Sequence, residues 1–148
     1  MAAKSLILVD TSGSMAEEGK KSVIRYILYA IDNFYKNEYS GEIASIYLWA
    51  DKIEKIELNQ KIQYGGKADI STLSEFLKSE TRPVLIITDG NYTSKVEKKI
   101  TESISNKKII AMLIGSDNNK VRLLNTFGAI NIFETEDLFE CLRFLNRR

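Results

Sequence analysis

Two purely apolar runs, Leu6-Ile7-Leu8-Val9 and Val84-Leu85-Ile86-Ile87, each lead into an aspartate, Asp10 directly and Asp89 after Thr88. An apolar run this short, bounded by turn formers, reads as a strand buried on both faces. Such strands belong to parallel sheets covered by helices on each side. Lys4–Asp10, Pro83–Thr88 and Ile109–Ile114 are therefore read as buried strands, with Asn131–Phe133 as a short final one. Between them the apolar spacing changes to three and four. Ile24, Ile27, Leu28, Ile31, Phe34 and Tyr35 make one stripe within a long helix from Glu17 to about Glu38. Further helices are read over Asp69 to about Lys78 (Leu73, Phe76 and Leu77 inward), around Val96, Ile100 and Ile104, over Val121–Phe127, and over Glu136–Asn146.

Ile43–Trp49 and Ile53–Leu58 are separated by only Ala50-Asp51-Lys52, too few residues for a crossover helix. They are expected to form an antiparallel hairpin. Strands alternating with amphipathic helices predict an α/β fold, a three-layer α/β/α sandwich around a mostly parallel sheet. In such sheets ligands sit beyond the carboxyl ends of the strands, where the winding reverses. Asp10 and Asp89 are both placed there.

Composition narrows the function. The chain has 148 residues, fits one domain over 1–148, and shows no repeat or linker-like tract. Its 21 Lys and Arg balance 20 Asp and Glu, which argues against nucleic acid or an anionic membrane as the main partner. The apolar stretch after Met1-Ala2-Ala3-Lys4 is too short for a signal peptide or a membrane span. One cysteine, Cys141, cannot form an internal disulfide, and the expected location is cytoplasmic. Cys141 is read as core, alongside Phe139, Leu142 and Leu145, and Lys20-Lys21 and Lys98-Lys99 as solvated helix positions. With no histidine, the commonest general base and transition-metal ligand is missing. Glu54, Lys55 and Glu57 on the hairpin strand discourage edge pairing, so a monomer is expected.

Asp10-Thr11-Ser12-Gly13-Ser14 leads from the first strand into the long helix. Asp10, Ser12 and Ser14, spaced two apart, can converge on one point and offer a carboxylate and two hydroxyls, with Gly13 between them as a candidate metal or partner contact. These are hard oxygen ligands suited to Mg²⁺ or Mn²⁺. Asp89 can add a second carboxylate. Taken singly, each segment is ordinary turn and cap material.

The Asp10-x-Ser12-x-Ser14 pattern after an apolar strand resembles the metal-ion-dependent adhesion site of von Willebrand factor A domains, and Ile87-Thr88-Asp89-Gly90 resembles that family's second acidic loop. The resemblance covers essentially the whole chain. It implies a six-stranded sheet in the order 3-2-1-4-5-6 with strand 3 antiparallel. It also implies a protein-binding module in which a partner's carboxylate completes the coordination of a bound ion. Small bacterial members occur with AAA+ ATPases or in stress-response systems, which suggests an ATPase complex as partner.

The chain departs from the family in the middle loop. Gly65-Gly66-Lys67-Ala68-Asp69 has Ala68 where the family's threonine ligand is expected, and Ala68 offers no oxygen. Three readings follow. The ion is held more weakly by Asp10, Ser12, Ser14 and Asp89; or Asp69 substitutes as a ligand, its simpler role being a helix cap; or Lys67 sets its ammonium near Asp10 and Asp89 in place of an ion, its simpler role being an exposed loop lysine. A metal-free scaffold is thus an alternative. A phosphoryl-transfer enzyme using Asp10 is another, but hydrolases of the haloacid dehalogenase type carry a second aspartate where Ser12 stands. No catalytic residue is assigned.

Overall fold

The computed structural model describes residues 5–17, 19–39, 44–104 and 107–147. Lys4, Ile43 and Arg148, which bound or flank elements expected from the sequence, lie outside them. The strands are β1 (Leu6–Asp10), β2 (Ser45–Trp49), β3 (Ile53–Ile56), β4 (Val84–Thr88), β5 (Ile109–Leu113) and β6 (Ile132–Phe133). The helices are α1 (Lys20–Glu38), α2 (Ile70–Ser79), α3 (Ser94–Ile104), α4 (Lys120–Phe127) and α5 (Leu138–Asn146). They build one six-stranded sheet in the order β3-β2-β1-β4-β5-β6, and only β3 runs antiparallel to its neighbour.

Alternation along the strands divides the core into two apolar layers, as a pleated sheet demands. Ile7, Val9, Leu85, Ile87, Ile110 and Met112 face α1 and α5. Leu6, Leu8, Val84, Ile86, Ile109 and Ala111 face α2, α3 and α4. The six stripe residues expected for α1 are all buried. The result is the expected three-layer sandwich, with β1 at the reversal point between β2 and β4.

Several details differ from the sequence reading, among them the last helix, which begins at Leu138 after a 3₁₀ turn, Thr135–Asp137, rather than at Glu136. The long helix starts at Lys20 rather than Glu17. The chain first makes a 3₁₀ turn, Gly13–Ala16, and enters α1 through Gly19, whose φ of 75° is left-handed. β3 stops at Ile56, because the backbone turns through a hydrogen bond from the Gln60 amide to the Glu57 carbonyl. Phe139 is not core: it is half-exposed and stacks on Phe34 at 5.5 Å, whereas Cys141 is fully buried.

Candidate metal centre

Asp10 ends β1 with its side chain fully buried. The Ser12 amide donates to its Oδ1 at 2.9 Å and the Thr88 hydroxyl donates to its Oδ2 at 2.7 Å. Both bonds follow from the chain path: the first closes an Asx turn two residues on, and the second spans the adjacent ends of β1 and β4. Among the described residues no lysine or arginine forms an ion pair with Asp10. Burial pushes its carboxyl above the usual range, the bonds from Ser12 and Thr88 offset only part of that, and the Asp89 carboxylate adds repulsion. The hydroxyls of Ser12 and Ser14 lie 3.5 Å apart in the same turn.

Asp89, just beyond β4, is also fully buried, but its surroundings differ. The Asn91 amide donates to Oδ1 at 3.0 Å, and the Lys20 ammonium sits 3.0 Å from Oδ2. Burial opposes its charge, yet the Asn91 amide and the Lys20 and Ser14 side chains together hold its carboxyl below the usual range.

Lys20 is therefore not a solvated helix position. It is 1% exposed, and its ammonium also donates to the Ser14 carbonyl at 2.9 Å and lies 2.8 Å from Asp117 Oδ1. Burial works against its charge, but the Asp117 and Asp89 carboxylates outweigh that and hold the ammonium above its usual range. A signal for this was present in the sequence. Lys20 stands four residues before Ile24, on the same helical stripe, so the periodicity that buries Ile24 also turns Lys20 inward. Thr88, quoted only as part of a motif, and Asp117 are the other residues that sequence reasoning left without a role.

The middle loop is held against β1 and β2. The Gly65 amide donates to the Thr11 carbonyl at 3.0 Å, and Ser12 pairs with Gly66. Gly66 is required by close approach, since a Cβ there would stand 2.7 Å from Ala50 Cβ. Lys67 is exposed, its amide donating to Asp51. Asp69 caps α2, accepting from the Thr72 amide at 2.8 Å and the Thr72 hydroxyl at 2.7 Å. Ala68 is partly buried against the α2–α4 side of the core. Trp49 is a packing residue, fully buried, with its indole donating to the Asp69 carbonyl. Ser12, Ser14, Gly66, Ala68 and Asn91 line a cleft of about 540 Å³ over these loops.

The donor set fits a divalent ion in kind. The oxygens are hard, and each Asp10 oxygen accepts one hydrogen bond while retaining a lone pair. The fit in charge is reduced, because Asp89 is already neutralised. No group of three or more His, Cys, Asp or Glu side chains that could hold an ion gathers among the described residues, so hydroxyls would have to complete the shell.

No protein-family profile matches the chain, and no characterised protein matches it in sequence. Solved structures do match. Manganese-loaded TRAP protein of Plasmodium vivax aligns over 97% of this chain and 73% of its own, with a TM-score of 0.75 and 12% identity. Proximal thread matrix protein 1 of the mussel byssus, with a zinc-occupied MIDAS motif, aligns over 97% of this chain with a TM-score of 0.62 and 14% identity. A von Willebrand factor type A structure from Catenulispora acidiphila covers 98%, with a TM-score of 0.64 and 14% identity. The chain spans only 47% of the mussel protein and 42% of the Catenulispora one. Strand order, the single antiparallel edge hairpin and these alignments agree: the chain has the fold of a von Willebrand factor A domain.

Proposed function

We propose that this chain is a protein-interaction module that takes its partner on the carboxyl-end face of the sheet. The observation that carries this reading is Asp10, a fully buried carboxylate with no cationic partner among the described residues, in the same turn as Ser12 and Ser14, which line an open cleft. A buried charge of that kind is costly unless something positive meets it. Asp10, Ser12 and Ser14 are the residues that would hold Mg²⁺ or Mn²⁺. Asp89 contributes less, because Lys20 already binds its Oδ2. When bound, the ion supplies positive charge able to accept a carboxylate from the partner protein. Gly13 and Lys67, both exposed at the cleft, are candidate partner contacts, and Asp69 acts as a cap rather than a ligand. The structures it resembles include manganese-loaded and zinc-occupied examples, which supports the ion reading.

A metal-free adaptor is the second reading, favoured by Ala68 and by the neutralisation of Asp89. An AAA+ ATPase complex is the partner class suggested by the family resemblance. A phosphoryl-transfer role has less support, because Ser12 stands where hydrolases of the haloacid dehalogenase type carry their second aspartate.

The test is affinity capture of partners in Mg²⁺ by wild type, by Ser12→Ala/Ser14→Ala, and by Tyr26→Ala on the exposed side of α1 as control. A partner lost with the serine variant and kept with the Tyr26 variant supports the assigned face. Equal capture by all three rules it out. Loss of the partner in EDTA separates the ion reading from the metal-free one.

A further inference from the structure

Among the described residues Lys20 is the one fully buried cation. It occupies the first position of α1, where a cation runs against the helix dipole. Its ammonium nevertheless meets three acceptors from three separate loops: the Ser14 carbonyl after β1, the Asp89 carboxylate after β4 and the Asp117 carboxylate after β5. The passage that admits it is also built. Gly115 adopts a left-handed φ of 87°, and a Cβ there would stand 2.5 Å from Lys20 Cε and 2.8 Å from Asp117 Oδ1. The Asn118 side-chain amide pins that turn by donating to the Gly115 carbonyl.

We propose that Lys20 is a resident cation of this face: its ammonium ties the loops after β1, β4 and β5 together without a metal ion, and by occupying the Asp89 side it sets how tightly a divalent ion is held beside Asp10. This rests on the ion reading above and makes Lys20 a positioning residue rather than a ligand. Two consequences are specific to it. The loop arrangement persists in EDTA. Removing the tethered charge frees Asp89 and strengthens ion binding, where loss of a merely structural residue would weaken it.

The experiment is Mn²⁺ titration, followed by calorimetry and by loss of the free-ion paramagnetic resonance signal, on wild type, Lys20→Met, Gly115→Ala and Asp10→Ala. Circular dichroism establishes folding. Lys20→Met should bind Mn²⁺ on the order of tenfold more tightly than wild type, the scale expected when a like charge beside a cation site is removed. Gly115→Ala, whose Cβ would displace the Lys20 stem, should tighten binding by a smaller factor. Should Lys20→Met not fold, the Gly115→Ala comparison decides alone. Unchanged or weaker Mn²⁺ binding in folded Lys20→Met or Gly115→Ala overturns the proposal. If wild type binds Mn²⁺ and Asp10→Ala does not, the ion reading survives that failure; if no variant binds Mn²⁺, both fall.

Discussion

The two aspartates at the reversal of the sheet begin from nearly the same place and end in opposite electrostatic states. Asp10 and Asp89 both close central parallel strands, and both are fully buried. Asp10 receives only an amide and a hydroxyl, and burial drives its carboxyl up. Asp89 lies less deep, and the Asn91 amide, the Lys20 ammonium and the Ser14 side chain hold its carboxyl down against that burial. The difference comes from shallower burial, from the Asn91 amide and from an ammonium delivered by α1. It teaches that two acids at one site need not be two ligands: the unpaired one is where an incoming cation gains most, and the paired one already has its cation.

The largest way to break this asymmetry is to delete the ammonium. Lys20→Met leaves Asp89 buried without a counter-charge and should cost about 3–5 kcal/mol in EDTA, the range for a broken buried pair. Urea unfolding would show it, and saturating Mn²⁺ should restore part of the loss. A cost below about 1 kcal/mol, the level of an exposed pair, would mean that the triad is loosely held. Next in size, Gly115→Ala both strains a left-handed backbone and pushes Lys20 aside, for a loss of about 1–3 kcal/mol. It should share the tighter Mn²⁺ binding of Lys20→Met.

Asp69→Ala removes the α2 cap and should lower the thermal unfolding midpoint while leaving Mn²⁺ affinity unchanged. A drop in affinity would move Asp69 from cap to ligand. The finest test uses pH. Because the fold raises the Asp10 carboxyl, its contribution to stability is fully present below the unfolded value and is lost as pH rises toward the folded one. Asp89 runs the other way, its contribution being lost as pH falls through its lowered folded value. In EDTA, Asp10→Asn should therefore melt above wild type at neutral pH, and the gap should narrow as the solution is made acidic.

Much of this was legible in the sequence, for a physical reason. Apolar runs such as Leu6–Val9 and the α1 stripe report burial directly, so the layers, the β2–β3 hairpin and the approach of the Ser12 and Ser14 hydroxyls could be read from spacing. The pairing of Asp89 was harder to read. Its partners lie 69 and 2 residues away, and a lysine's charge argues for solvent unless its place on the stripe is weighed first. Lys67 was weighed as the cation for these acids because it is near them in the expected loop, yet it is exposed and Lys20 takes that place. The early end of β3 and the half-exposed Phe139 were missed because a local turn and a surface stacking contact leave no periodic trace.

The most direct test of the account is calorimetric Mn²⁺ titration of wild type, Asp10→Ala and Ala68→Thr. The account predicts weak binding by wild type, none by Asp10→Ala, and stronger binding by Ala68→Thr, which restores a hydroxyl at the cleft. Wild-type binding that survives Asp10→Ala, or no binding by any of the three, would contradict it.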